Sequence, residues 1–342
     1  MIRLLFFTLI CSCSTPKIVS PTHTFERVKI AFGSCANEKE GSSAVWNQMA
    51  KGDLTAVVLL GDTPYIDTTN LDVQRRRYQE FAEVPAFAKL TSSVPLYSTW
   101  DDHDFGRNDT DGNLEGKDNS RKAFMEFRNN PSYGESGQGI YTKFTQGDVT
   151  VFLLDTRWFA KTEGDANNPT LLGTQQWAWL ERELNASTST FNILACGMVF
   201  NDSVRLGKSD CWGKYPIEYA RLLSIIKKYP PKNVTLVSGD IHWSRVLKHN
   251  TESKVGYDLY EFITSPIHER LIQWANPPDD RVLFSIGEVN SFLIMETMPS
   301  DHLGMPPRLR FTITNKNGDN LYQKIIQSND DLIKNANKES NF

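Results

Sequence analysis

The feature that most constrains this chain is a repeated punctuation. Short apolar runs stop at a glycine or a turn and are followed at once by side chains able to ligate a metal. Val28 to Phe32 (VKIAF) runs into Gly33-Ser34-Cys35, and Ala56 to Leu60 (AVVLL) runs into Gly61-Asp62. Val94 to Thr99 (VPLYST) precedes Trp100-Asp101-Asp102-His103-Asp104, and Asn233 to Val237 (NVTLV) precedes Ser238-Gly239-Asp240-Ile241-His242. A continuous apolar run with no polar alternation predicts a strand covered on both faces. In an open α/β sheet, ligand sites gather beyond the carboxyl ends of such strands. Glycine keeps the backbone compact where an ion must approach. One strand followed by Gly-Asp is an ordinary turn. Four such ends, offering oxygen, sulfur and imidazole donors, predict a metal centre.

Between these strands the pattern is helical. Ser43 to Ala50, Leu71 to Leu90, Ser120 to Asn129, Gln175 to Leu184 (with Thr174 as N-cap) and Pro216 to Tyr229 read as helices. Arg75, Arg76 and Arg77 fit a solvated helix face, and Trp177 and Trp179 fit core aromatics. Val149 to Leu154 and Phe191 to Cys196 read as further strands, the first running into Asp155-Thr156-Arg157. The later chain changes to strand: Tyr257 to Thr264, Phe284 to Glu296, Arg308 to Asn315 and, after the turn Asn317-Gly318-Asp319, Leu321 to Ile326. No linker divides the chain, so one α/β domain over 27–327 is expected, with a frayed tail over 328–342. A net charge of -4 gives no basic field for a nucleic-acid partner.

Arg3 and the apolar stretch Leu4 to Ile10 predict a secretory signal over 1–12, too short to span a bilayer. Ile10-Cys11-Ser12-Cys13 resembles a bacterial lipobox, which implies cleavage before Cys13, a lipid on that thiol and anchoring to the cell envelope. Residues 13–26 would then be a polar tether. In an oxidising compartment Cys196 and Cys211 are free to pair. Cys35 is then either a ligand or reactive thiol, or a buried inert one.

Gly61-Asp62-Thr63-Pro64-Tyr65-Ile66-Asp67, Trp100 to Asp104 and Ser238 to His242 together resemble the PhoD-like alkaline phosphatases, calcineurin-like metallophosphoesterases akin to purple acid phosphatases. Gly33-Ser34-Cys35 and Asp155-Thr156-Arg157 match the same pattern, and the similarity runs from about Val28 to Ile267. The resemblance implies a four-layer α/β/β/α sandwich, a dinuclear metal site and hydrolysis of phosphate mono- or diesters. Asp62 would bridge the two metals. Cys35 as thiolate, Tyr65 as phenolate and His242 would hold ferric iron. Asp102 and Asp240 would face the second ion, and His103 would be general acid or transition-state stabiliser. Thiolate, phenolate and three carboxylates carry about minus five, which balances a ferric plus a divalent ion. The oxygen-rich second position suits calcium or another hard divalent ion. Such a pair readies a water for attack on phosphorus.

This chain departs from the pattern in one place. Many metallophosphoesterases place a histidine after the strand corresponding to Phe191 to Cys196; here the stretch is Gly197-Met198-Val199-Phe200-Asn201-Asp202. Asn201 and Asp202 are the available substitutes. Arg157 either forks onto phosphate or pairs with Asp155, and Asn108 and Asp109 either line the mouth or form a plain turn. His23, His249, His268 and His302 have no motif context and read as surface or structural. Two other classes of function use some of the same residues: an anchored lipoprotein that binds metal or a phosphorylated ligand without turnover, and a glycosidase built on an acidic pair. The second leaves Cys35, Tyr65, His103 and His242 unexplained.

Overall fold

A computed structural model describes residues 26–161, 169–202, 204, 208, 210–228, 233–300 and 305–328. The expected signal and lipid-attachment segments, and the tail beyond 328, lie outside the described residues. Among the described residues, no helix is long and apolar enough to cross a membrane.

Among the described residues, thirteen strands form two sheets. They are β1 (Lys29–Gly33), β2 (Ala56–Leu60), β3 (Leu96–Thr99), β4 (Thr142–Gln146), β5 (Val149–Leu153), β6 (Phe191–Ala195), β7 (Val234–Ser238), β8 (Ser244–His249), β9 (Leu259–Ile263), β10 (Val282–Ile286), β11 (Ser291–Met298), β12 (Arg308–Asn315) and β13 (Asn320–Gln327). One sheet has the order β13-β12-β11-β1-β2-β3 and the other β10-β8-β9-β7-β6-β5-β4. Strands β1, β2 and β3 run parallel, as do β5, β6, β7 and β9. The expected antiparallel end is present: β11 pairs with β1, and β12 and β13 follow as a meander.

Side-chain alternation explains why the central runs are apolar throughout. Ile30, Phe32, Val58, Leu60, Val151 and Ile193 face inward, into one apolar layer between the sheets. Ala31, Val57 and Leu59 face outward, beneath α1 (Glu40–Met49) and α3 (Pro85–Thr91). On the far side Phe152, Leu194 and Cys196 lie beneath α6 (Gly173–Ala186) and α7 (Pro216–Lys228). Period-two strands buried on both faces require apolar residues at both parities. Each fully buried Val, Leu, Ile or Phe is worth about 1.5–3 kcal/mol. The outcome is the four-layer α/β/β/α arrangement, and Trp177 and Trp179 sit in its outer core.

Two local expectations change. The segment Leu71 to Leu90 is two helices, α2 (Leu71–Ala82) and α3, because Pro85 cannot continue a helix. Val84, preceding it, is extended at ψ 117, and Pro85 starts the next helix. Cys196 and Cys211 do not pair: all three described cysteines are free and buried. Cys196 packs under the outer helices, whereas Cys211 belongs to a separate cluster with Val199, Ile241 and Leu247. The helix α5 (Lys117–Phe127) and the single-turn helices α4 (Asp102–Phe105) and α8 (Glu252–Val255) are the remaining α-helices among the described residues.

Candidate metal centre

The carboxyl ends of the parallel strands of both sheets open at one end of the sandwich. Cys35 lies two residues past β1, Asp62 two past β2, Asp102 three past β3, and Asp240 and His242 two and four past β7. Each chain turns sharply as it leaves its strand. Cys35, Asp62, Asp240 and His242 all have left-handed φ values, 55, 53, 67 and 53 degrees. Non-glycine residues tolerate this region only where the surroundings over-determine it, and such strain collects at functional sites. The strand ends are also close. A Cβ on Gly61 (φ +94) would come within 2.4 Å of Asp101 N, and one on Gly239 within 2.4 Å of Ser34 Oγ. Loops from the two sheets are joined by Ile267 N donating to Ser34 O and His268 N donating to Cys35 O.

Two groups of donors share Asp62. Ligand atoms of Cys35, Asp62 and His242 lie within 4.8 Å of one another, as do those of Asp62, Asp102 and His103. Cys35 Sγ is 3.7 Å from Asp62 Oδ2, and Tyr65 Oη is 2.9 Å from His242 Nε2. His242 Nδ1 donates to the Arg270 carbonyl at 3.1 Å, so its Nε2 lone pair faces the centre. A third group, Asp102, Asp109 and Asp210, lies alongside. Asp240 is tied to Lys208, whose Nζ is 2.8 Å from its Oδ2.

The electrostatics are those of an anion cluster short of positive charge. Burial pushes the Asp62 carboxyl well above its ordinary range, and Asp102 and Cys35 push it further. Burial lifts the Cys35 thiol to about 11 and raises the Tyr65 phenol strongly. Burial carries the Asp240 carboxyl to about 7 against the pull of Lys208. Burial also acts upward on Asp102, yet Arg157, His103 and Lys208 hold it below its ordinary value. Burial and the neighbouring His268 and Arg270 bring His242 down to about 3, a neutral imidazole suited to ligation. A buried thiol, a phenol and the Asp62 and Asp240 carboxyls, all of which resist ionisation, fit bound metal: a softer, nitrogen- and sulfur-containing position beside an all-oxygen one.

Other sequence candidates resolve geometrically. His103 Nδ1 is 2.6 Å from Asp67 Oδ1, and the ring lies tilted against Tyr65, with centroids 4.6 Å apart and planes at 54°. Arg157 neither reaches the cavity nor pairs with the Asp155 side chain through its guanidinium. It is 1% exposed; Nε is 2.6 Å from Asp101 Oδ1 and Nη2 is 2.9 Å from Asp210 Oδ2. Asp155 instead accepts from Trp100 Nε1, Trp158 N and Ile140 N. Asn201 and Asp202 do not replace the missing histidine. Asn201 bonds Glu261, and Asp202 pairs with Arg281 at 2.6 Å. Asn108 lines the cavity, and Asp109 donates its N–H to Asp102 Oδ2 at 2.7 Å.

Sequence reasoning missed His268, Lys208, Asp210 and Arg270. His268 is 3% exposed, with Nε2 3.1 Å from Tyr65 Oη. Its signal was its place beyond another parallel strand, β9. A cavity of about 350 Å³ opens over the centre, lined by Asp67, His103, Asn108, Lys208, Arg270 and Ile272 as well as the acidic and imidazole groups.

A two-sheet sandwich with these donors at converging strand ends defines a metallophosphoesterase-type protein. A model of the PhoD-like phosphatase family matches residues 30–284. The chain belongs to the PhoD-like phosphatase family. Alkaline phosphatase D of Bacillus subtilis (strain 168) is 26% identical over 282 residues, 67% of this chain and 48% of that protein. The chain therefore spans about half the length of the curated relative it matches. Among solved structures, one described as the structure of PhoD has a TM-score of 0.67 at 21% identity, over 88% of this chain and 68% of that one. GAP50, described as the anchor in the inner membrane complex of Plasmodium, gives 0.58 at 15% identity, over 88% and 89%. A dimetal phosphatase from Danio rerio gives 0.50 at 12% identity, over 88% and 99%. These structures share the fold; in this chain the donors form two groups that meet at Asp62.

Proposed function

We propose that this protein is a metal-dependent phosphoesterase, hydrolysing phosphate mono- or diesters at the Asp62 centre. The observation that carries this reading is the placement of Asp62 between the Cys35–His242 group and the Asp102–His103 group. Ferric iron is our choice for the position beside Cys35, Tyr65 and His242, and calcium or another divalent ion for the carboxylate position with Asp102 and Asp240. Held by these residues, such cations would supply Lewis acidity toward water and phosphoryl oxygens. The side chains do the rest. Asp62 sets the spacing of the two positions, and Asp67 fixes the ring of His103 with its remaining nitrogen available to the cavity. From there His103 hydrogen-bonds a phosphoryl oxygen or gives a proton to the leaving alkoxide. Arg270, exposed at the cavity and in no ion pair among the described residues, takes the phosphate role that sequence reasoning gave to Arg157.

The test is Asp62→Asn, assayed on p-nitrophenyl phosphate and its bis-ester. We expect both activities to fall by about 10³-fold or more, comparable with or beyond the loss of one transition-state donor. Unchanged rates would remove the assignment.

A second reading, a non-catalytic protein that binds metal or a phosphorylated ligand, draws support from Lys208 lying on the carboxylates of the second position. Metal content with no turnover of either ester would favour it. We further propose export and lipid attachment at Cys13, on the strength of the Leu4 to Ile10 run and the Ile10-Cys11-Ser12-Cys13 motif. Mass spectrometry of the mature N-terminus tests that, an unmodified Cys13 being the contrary result.

A further inference from the structure

We propose that Lys208 is a tethered cation holding the second metal position, and that a divalent ion enters there only by displacing it. The inference rests on the metal-dependent reading above. Asp102, Asp109 and Asp210 bring their oxygens within 4.8 Å of one another next to Asp240. Into this group Lys208 directs its ammonium. Nζ is 2.7 Å from Asp210 Oδ1, 2.8 Å and 3.1 Å from the two oxygens of Asp240, and 3.7 Å from Asp109 Oδ1. Lys208 is 5% exposed, so these carboxylates, rather than water, hold its charge.

An ammonium has three donors and no acceptor, and it spends them on the oxygens a hard ion would use. A divalent ion needs those oxygens at about 2.0–2.6 Å. Two cations competing for one set of acceptors repel each other, so both cannot stay. Asp62 is different: beside burial, the groups that act on it most strongly are Asp102, Cys35, Asp101 and Asp104, all of them acidic. The Cys35–Asp62–His242 position is therefore open to its ion, whereas the carboxylate position carries a resident competitor. The two positions fill in order, the second more weakly. A flexible four-carbon stem lets the ammonium leave, and Lys208 already borders the cavity. The missing histidine fits this account, because the connection after β6 delivers Lys208 and Asp210 in place of a neutral ligand.

Manganese(II) titrated into the full chain as purified tests the proposal, with bound ion followed by electron paramagnetic resonance and elemental analysis. Lys208→Met and Lys208→Gln should bind the second ion at least about tenfold more tightly. Lys208→Arg, which keeps the cation, should stay near wild type. A measurement on the unaltered protein needs no variant: Lys208 should resist an amine-reactive label without added ion and become labelled as manganese fills the second position, read by peptide mass spectrometry. Equal second-ion affinity in the wild type and both neutral variants, or labelling indifferent to manganese, overturns the proposal. No ion bound in any protein overturns this proposal and the metal-dependent reading together. Two ions bound with the predicted Lys208 dependence but no ester hydrolysis overturns only the phosphoesterase reading.

Discussion

His268 Nε2 is 3.1 Å from Tyr65 Oη, and the direction of that hydrogen bond is fixed by the other side of the ring. His268 Nδ1 accepts the Arg270 backbone N–H at 2.9 Å, so the imidazole proton is on Nε2 and faces the phenol oxygen. A donor aimed at Tyr65 Oη stabilises the phenolate, the form in which tyrosine ligates. With ferric iron in the first position, the purified protein should be coloured through phenolate and thiolate charge transfer. Tyr65→Phe should remove the phenolate part of the band, and His268→Ala should move it to longer wavelength. Visible absorption spectra check both; a fully loaded colourless protein means another ion is present.

Asp67 has φ 61 and holds His103 Nδ1 at 2.6 Å. Asparagine also tolerates that left-handed backbone, so Asp67→Asn alters the carboxylate and little else. We expect kcat to fall about 10- to 100-fold, the usual scale for a group that orients an active residue, with the melting temperature unchanged. Steady-state kinetics beside thermal unfolding read the two effects separately.

Arg157 joins Asp101 and Asp210 in the interior, with side chains 1–2% exposed. Arg157→Met leaves buried carboxylates unmatched and should cost about 3–5 kcal/mol in urea unfolding. Arg157→Lys should recover little of it, because a single ammonium does not reproduce the planar fork. A lysine variant with wild-type stability and a raised KM would instead make Arg157 a substrate contact.

Glu261, fully buried, accepts from His249 Nε2 at 2.9 Å, Ser238 Oγ at 2.8 Å and Phe200 N at 2.8 Å. Burial pushes its carboxyl upward, yet the His249 contact and these hydrogen bonds bring it below the ordinary 4.5. A depressed folded value adds stability that is present above pH 4.5 and lost as the pH falls through that lower value. Glu261→Gln should therefore destabilise the protein by about 3 kcal/mol at neutral pH. The gap to wild type should narrow below pH 4.5. Unfolding midpoints measured across pH 3 to 7 check the sign.

The strand-end residues were legible because their positions depend on local rules. A run such as AVVLL must be buried on both faces, and a Gly-Asp after it must lie at the sheet's carboxyl edge. Cys35, Asp62, Asp102, Asp240 and His242 could thus be singled out before any coordinate. The surroundings of Arg157 were not legible, for the opposite reason. Its partners Asp101 and Asp210 are 56 and 53 residues away, and nothing near Arg157 announces them. His268 and Lys208 were overlooked because each enters on a connection whose path follows no periodicity.

Amino-acid order alone determined the alternation of buried strands and helices, the break at Pro85 once its ring is considered, and which residue types stand at the strand ends. Those properties come from side-chain period, backbone sterics and the chemistry of donors. The tertiary structure alone decided which ends face one another, which carboxylates share a cation, and that an ammonium from Lys208 lies among them. Such outcomes depend on long-range packing of two sheets and on charges brought together from distant parts of the chain, where burial makes each unmatched charge costly.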